Sequence, residues 1–137
     1  MTLMFPKTQK KSKKDKFNRK AYTKKLDIQW SKAVKVLAGY ACEYCGKTEH
    51  LNSHHFYGRR VFPLRWNAKN GVCLCAGHHT FSSTFSAHQT EPDFNKWIIE
   101  NRGEDWADEL REVKIEAHKF SNEELVKIYL HLKQINS

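Results

Sequence analysis

Apolar side chains recur at helical spacing over residues 26–38, where Leu26, Trp30, Ala33, Val34 and Leu37 share one face. This spacing predicts an amphipathic helix, and Gly39 supplies its stop. The period then disappears. Residues 40–88 hold all four cysteines, six of the eight histidines and the turn residues Gly46, Gly58 and Gly71, so short elements around metal suit them better than long regular ones. Helical spacing returns near Pro92, a first-turn proline, with Phe94, Trp97 and Ile98 on one side, and stops at about Asn101 ahead of Gly103. A second helical stretch covers residues 105–118. Ser121-Asn122-Glu123-Glu124 reads as a capping box that opens a last helix through Leu125, Ile128, Tyr129 and Leu132. Trp30, Phe62, Trp66, Trp97 and Trp106 read as core residues. With 137 residues and no internal repeat, the pattern predicts one small α+β domain with a thin core.

Charge divides the chain. Residues 1–25 carry ten Lys or Arg against Asp15 alone, which accounts for the whole net charge of +9. This Lys-rich arm has few apolar residues and is expected to be flexible when free. Its Lys10, Lys11, Lys13 and Lys14 suit sequence-independent contact with phosphates, although such a run also serves as a solubilising tail or targeting signal. From Glu91 onward eleven acids face seven basic residues, so that part is expected to turn away from phosphates. No apolar run approaches the ~20 residues of a membrane span, and the N-terminus lacks the apolar region of an export signal. A reducing compartment is therefore expected, which favours metal over disulfides for the cysteines.

Cys42 and Cys45 form a Cys-x2-Cys knuckle followed by Gly46, a spacing that lets two thiolates reach one tetrahedral Zn²⁺. Cys75 and His78 repeat the two-residue spacing and complete a Cys3His set; Cys73 in place of His78 is the rival, with a tighter bite. Ser53-His54-His55 places two imidazoles on opposite faces of an extended strand, so one can hold a metal while the other addresses a water. Asn70, His79 and His88 follow, and His79 sits directly after a zinc-ligand candidate. Any one of these histidines alone would more often be a surface or core residue; three clusters within forty residues make that reading weak.

Together these residues resemble an HNH endonuclease of the zinc-knuckle subgroup, of the small kind found in bacteriophages and prophages. The resemblance is carried by Cys42/Cys45, His54-His55, Gly58-Arg59, Arg65-Trp66, Asn70-Gly71, Leu74-Cys75, His78-His79, His88, and Pro92-Asp93-Phe94 with Trp97, about two fifths of the chain. It departs from the family in having His78 as the fourth zinc ligand and a longer gap from His79 to His88.

The resemblance implies a ββα-metal core with a structural zinc, flanked by helices. In it a hairpin presents the His pair and a following helix the last metal ligand. His55 would be the general base, His54, His79 and His88 the ligands of one catalytic divalent metal (Mg²⁺, Mn²⁺, Ni²⁺ or Zn²⁺), and Asn70 the residue that fixes the loop and orients His55. Arg59, Arg60 and Arg65 would contact DNA phosphates, Arg59 nearest the scissile one, set against the plainer reading of surface charges or internal ion pairs. The implied organisation is a basic arm (1–25), a nuclease core with its N-terminal helix (26–102) and a C-terminal helical extension (103–137) that could pair with a second copy or a phage or bacterial partner. DNA is the expected partner, with no membrane, and the bacterial cytoplasm the expected location. Two other readings remain: a zinc-stabilised nucleic-acid-binding module without activity, and a treble-clef protein-interaction domain.

Overall fold

Asn18 has an extended backbone and its side chain accepts the Ala21 N–H at 3.0 Å. It caps α1 (Arg19–Leu37), the first helix of this computed structural model, which describes residues 16–116 and 119–137. The helix thus begins well before Leu26, and residues 19–25 belong to the folded body, not to a flexible arm. The reason is tertiary. Arg19 donates to the Phe120 carbonyl at 2.6 Å and to Asn122 Oδ1 at 3.0 Å, and the Tyr22 ring lies 5.5 Å from that of Tyr129.

The chain continues through β1 (Leu51–His55), a one-turn α2 (Phe62–Arg65), a 3-10 turn (Ala68–Asn70) and β2 (Gly71–Cys75). A wide turn (Gly77–Phe81) follows, then α3 (Glu91–Arg102), α4 (Glu104–Ile115) and α5 (Asn122–Ile135). The two strands pair antiparallel, with Leu51 opposite Cys75 and His55 opposite Gly71. The architecture is α+β: a two-stranded sheet among helices. The capping box is present, with the Glu124 N–H donating to Ser121 Oγ and the Ser121 N–H to Glu124 Oε1. The expected end of the preceding helix at His118 lies outside the described residues.

A two-stranded sheet needs cover to be stable in water. Every residue of β2 is buried. On one side α1 contributes Leu26, Trp30, Ala33 and Val34, and α5 adds Leu125 and Leu132, all around Cys73 and Trp66. On the other side α3 brings Phe94 and Ile98 against Val72, Leu74 and Cys75. The last helix therefore uses its apolar face inside the fold. Three apolar residues depart from expectation. Leu37 is 63% exposed because α1 outruns the core at its end, and Phe62 is 54% exposed because α2 lies in the surface turn beyond β1. Trp106 is only half-buried, as its indole N–H reaches the Lys69 carbonyl at the surface at 2.8 Å. No helix among the described residues is long and apolar enough to cross a membrane.

Gly71 sets how closely α1 approaches the sheet. A Cβ there would overlap the Val34 side chain and meet Trp30 at 3.0 Å. Its need is for space, since its φ of −104° suits any residue. Overpacking of this kind costs about 1–3 kcal/mol. Gly71→Ala is accordingly expected to lower unfolding free energy by that amount in urea titrations, with Val34→Ala recovering part of the loss in the double variant.

Candidate metal centres and the His55 site

The Cys42–Cys45 knuckle closes on itself. The Gly46 N–H donates to the Cys42 carbonyl and the Cys42 N–H to the Lys47 carbonyl, both at 2.8 Å. Gly46 takes φ +79°, where a side chain is strained. Glu43 fastens this turn to the rest of the fold. Its N–H donates to the Cys73 carbonyl at 2.8 Å, and its carboxylate accepts the Cys73 N–H and the Arg102 guanidinium, each at 2.7 Å. The knuckle is thereby held to both β2 and α3.

Cys75 ends β2 and His78 stands in the wide turn, and together with Cys42 and Cys45 they place four ligand atoms within 4.8 Å of one another. Thiolates on tetrahedral zinc, with Zn–S of about 2.3 Å, lie about 3.8 Å apart. Cys45 and Cys75 Sγ are 3.8 Å apart, and His78 Nδ1 is 3.3 Å from Cys75 Sγ and 4.0 Å from Cys42 Sγ. The donor set and its spacing fit zinc. Burial pushes the Cys42 thiol up, but hydrogen bonds from the backbone of Cys45, Cys75 and Tyr44 and from His78 outweigh it and bring it down to about 7. Cys73 is not in this group. It is fully buried against α1, and burial followed by the Glu43 charge pushes its thiol up to about 11, so it packs as a neutral side chain.

His54, on β1, meets His79 and His88 in a second group whose ligand atoms also lie within 4.8 Å. His79 and His88 bring their Nε2 atoms to 3.1 Å, near the roughly 3.3 Å expected for two imidazoles on one tetrahedral ion with metal–nitrogen distances of about 2.0–2.1 Å. His79 Nδ1 lies 3.3 Å from Thr80 Oγ1, which leaves Nε2 as its ligand atom. His88 is presented by a turn before α3, not by a helix. The segment between 79 and 88 folds back, with the Ala87 and His88 N–H groups donating to the His78 and His79 carbonyls at 2.9 and 3.1 Å. Gln89 Nε2 secures its far end on the Thr80 and Phe81 carbonyls at 2.7 and 3.0 Å. The long gap is thus a closed excursion that returns its second histidine to the first. Burial, then the neighbouring histidines, lowers His54 to about 3, and burial with His88 lowers His79. Both remain neutral, with lone pairs available, at ordinary pH.

His55 points the other way from its neighbour. Its ring stacks on Trp30 of α1 with centroids 3.6 Å apart and planes 9° from parallel. Its Nε2 is 3.0 Å from the Arg65 carbonyl. A carbonyl only accepts, so Nε2 carries the proton and Nδ1 keeps its lone pair. Burial lowers the His55 pKa, though the Arg65 carbonyl works against this. The result is a neutral, half-buried imidazole in one tautomer.

The residues around it differ from expectation in two respects. Arg65 is not a free phosphate contact. Its guanidinium grips Asp27 at 2.8 and 3.1 Å, Asp27 also accepts the Trp66 indole N–H at 2.8 Å, and the Arg65 side chain is 15% exposed. Asp27, a half-buried carboxylate on α1, is the partner that holds it there. Asn70, fully buried, does not orient His55 directly. Its side chain accepts the Tyr57 N–H at 2.8 Å and donates to the Tyr57 and Leu64 carbonyls at 2.9 and 3.3 Å, so it staples the loop that delivers Arg65. Arg59 and Arg60 stand exposed in the turn after β1 and form no ion pair among the described residues. Lys10, Lys11, Lys13 and Lys14 lie outside the described residues. Sequence reasoning missed Trp30, Asp27, Glu43 and the Arg65 carbonyl as parts of these sites. Only Asp27 left a signal, as the single acid in α1.

Cys42→Ser is expected to lose zinc by elemental analysis and to melt the central region in a thermal scan, since structural zinc contributes folding free energy directly. Cys73→Ala should keep its zinc and lose only about 1 kcal/mol of stability. A pH titration of stability offers a separate check. His54 is neutral in the folded protein down to about 3, whereas an unfolded chain protonates it near its ordinary 6.5. The unfolded state then binds more protons, so stability is complete above about pH 6.5 and declines as pH falls toward 3. Each such histidine contributes a slope of up to about 1.4 kcal/mol per pH unit. His54→Phe is expected to make that decline shallower in denaturation curves recorded with the Cys3His zinc retained and no other metal added.

Comparison with models of known protein families, with curated proteins and with solved structures found no match.

Proposed function

We propose that this protein is a metal-dependent DNA endonuclease of the HNH type, in which β1, β2 and the histidine-bearing turns form a ββα-metal core braced by a Cys3His zinc. One observation carries the reading: adjacent residues of β1 supply both kinds of group that phosphodiester hydrolysis needs. His54 joins a three-histidine cluster, while His55 presents an imidazole whose tautomer is set by a backbone carbonyl. Among the described residues no hydrogen bond reaches the second ring nitrogen, and the charge of the exposed Arg59 is felt at the ring.

In this mechanism His55 Nδ1 takes the proton of a water as its oxygen bonds to phosphorus. The bond from phosphorus to the 3′-oxygen breaks and that oxygen takes a proton from solvent water, leaving a 5′-phosphate and a 3′-hydroxyl. Trp30 and the Arg65 carbonyl hold the imidazole in place. Asp27 and Asn70 hold the segment that supplies that carbonyl. Arg59 and Arg60, exposed in the turn after β1, would bind phosphate oxygens, for which the guanidinium fork is suited. His54, His79 and His88 would hold a divalent ion, whose positive charge would offset the negative charge that builds on the phosphate oxygens.

Supercoiled-plasmid nicking with added Mg²⁺, Mn²⁺, Ni²⁺ or Zn²⁺ tests the reading. Activity in the wild type and a drop of about 10²–10⁴-fold in kcat for His55→Ala are expected, with DNA affinity retained. His54→Ala and His79→Ala should instead raise the metal concentration required. Absence of nicking with every metal, in a protein that still binds DNA, would establish the non-catalytic binding module in its place.

A further inference from the structure

Asp27 is the only acid in α1, and Arg65 and Trp66 hold it at the flank of the helix. The solvent side also carries four lysines in one row. Lys20, Lys24 and Lys32 are exposed and Lys35 is partly so. With 3.6 residues per turn these four, and Ile28 and Ser31 among them, fall within about one third of the helix circumference, and the row is about 22 Å long. Lys25 does not belong to it: its ammonium lies over the Tyr22 and Tyr129 rings, 5.4 and 5.1 Å from their centroids.

The row meets the strand that carries His55 at its Ser31 edge. Trp30 stacks on His55, and the next residue, Ser31, accepts the Ser53 hydroxyl of β1 on its carbonyl at 2.6 Å. Arg59 and Arg60 stand exposed in the turn after β1, and the charges of both Asp27 and Arg59 are felt at the His55 ring. A straight cationic row with no free acid, next to two exposed guanidinium groups, complements a regular line of phosphates. Lysine, a point charge without a fixed fork, follows a backbone without selecting bases. The chain from Glu91 onward, with eleven acids against seven basic residues, has the opposite balance.

We propose that the exposed face of α1 is a docking surface for double-stranded DNA, with Lys20, Lys24, Lys32 and Lys35 on phosphates of one strand that continues past Arg59 and Arg60. This rests on the nuclease reading for where the strand leads, not for the contact itself. The face is part of the fold and so fixes the angle at which a duplex meets His55.

Fluorescence anisotropy of a labelled 30-base-pair duplex, measured over a salt series without added divalent metal, tests the full-length protein. The Lys20→Gln, Lys24→Gln, Lys32→Gln, Lys35→Gln variant removes four charges from α1. Lys96→Gln, Lys114→Gln, Lys127→Gln, Lys133→Gln removes four from the later helices as a control. Glutamine matches lysine in helix propensity, and circular dichroism checks that both variants fold. At about 0.9 per phosphate contact, the α1 variant should lose about 3–4 from the slope of log affinity against log salt, and the control close to none. Equal losses in both variants, or a wild-type slope in the α1 variant, overturn the proposal. Restoration by the four-arginine α1 variant supports it. Plasmid nicking measured in parallel separates the two ideas: a lost slope without wild-type nicking keeps this face and removes the nuclease, while nicking with an unchanged slope does the reverse.

Discussion

Two five-residue strands do not hold together in water, so everything in this protein depends on how β1 and β2 are covered. α1 closes on one side through the space left by Gly71, and α3 closes on the other with Phe94 and Ile98. That double cover turns the simplest property of a strand, alternation, into chemistry. His54 is delivered to the α3 side, where His79 and His88 wait, and His55 to the α1 side, where Trp30 supplies a flat support. A slip of one residue in the register would exchange the two imidazoles and destroy both arrangements.

The knuckle serves this arrangement more than it serves itself. Glu43 carries both the backbone of β2 and the guanidinium of Arg102, so a metal on Cys42 and Cys45 also ties the sheet to α3. Asp27 does the equivalent on the opposite side by linking α1 to Arg65 and Trp66. Glu43 and Asp27, both half-buried, thus each have a guanidinium partner from a distant part of the chain.

The features legible in the sequence were those set by local spacing. Cys42, Cys45, Cys75 and His78 share one two-residue rhythm, His54 and His55 alternate on a strand, and Ser121 with Glu124 marks a helix start. What spacing does not encode is where a side chain goes once the chain has folded. Arg65 looked like a phosphate contact because its partner Asp27 lies 38 positions away. The first turns of α1 looked like part of a loose arm because Phe120 and Tyr129 support them from the far end of the chain. The His79–His88 gap looked too long for a shared site, since the backbone bonds that close it leave no mark in composition.

His78 and His79 are consecutive, yet one belongs to the thiolate cluster and the other to the histidine cluster. A single peptide unit therefore joins the two centres, and neither can be loosened without shifting the other. Where both hold metal, a chelator would act on both through that link, and its first effect would be on the integrity of the scaffold. Substituting cobalt gives each centre its own signature, because thiolate ligation adds intense near-ultraviolet charge-transfer bands that an all-imidazole set lacks. Spectra taken as cobalt is added would reveal the order in which the centres fill.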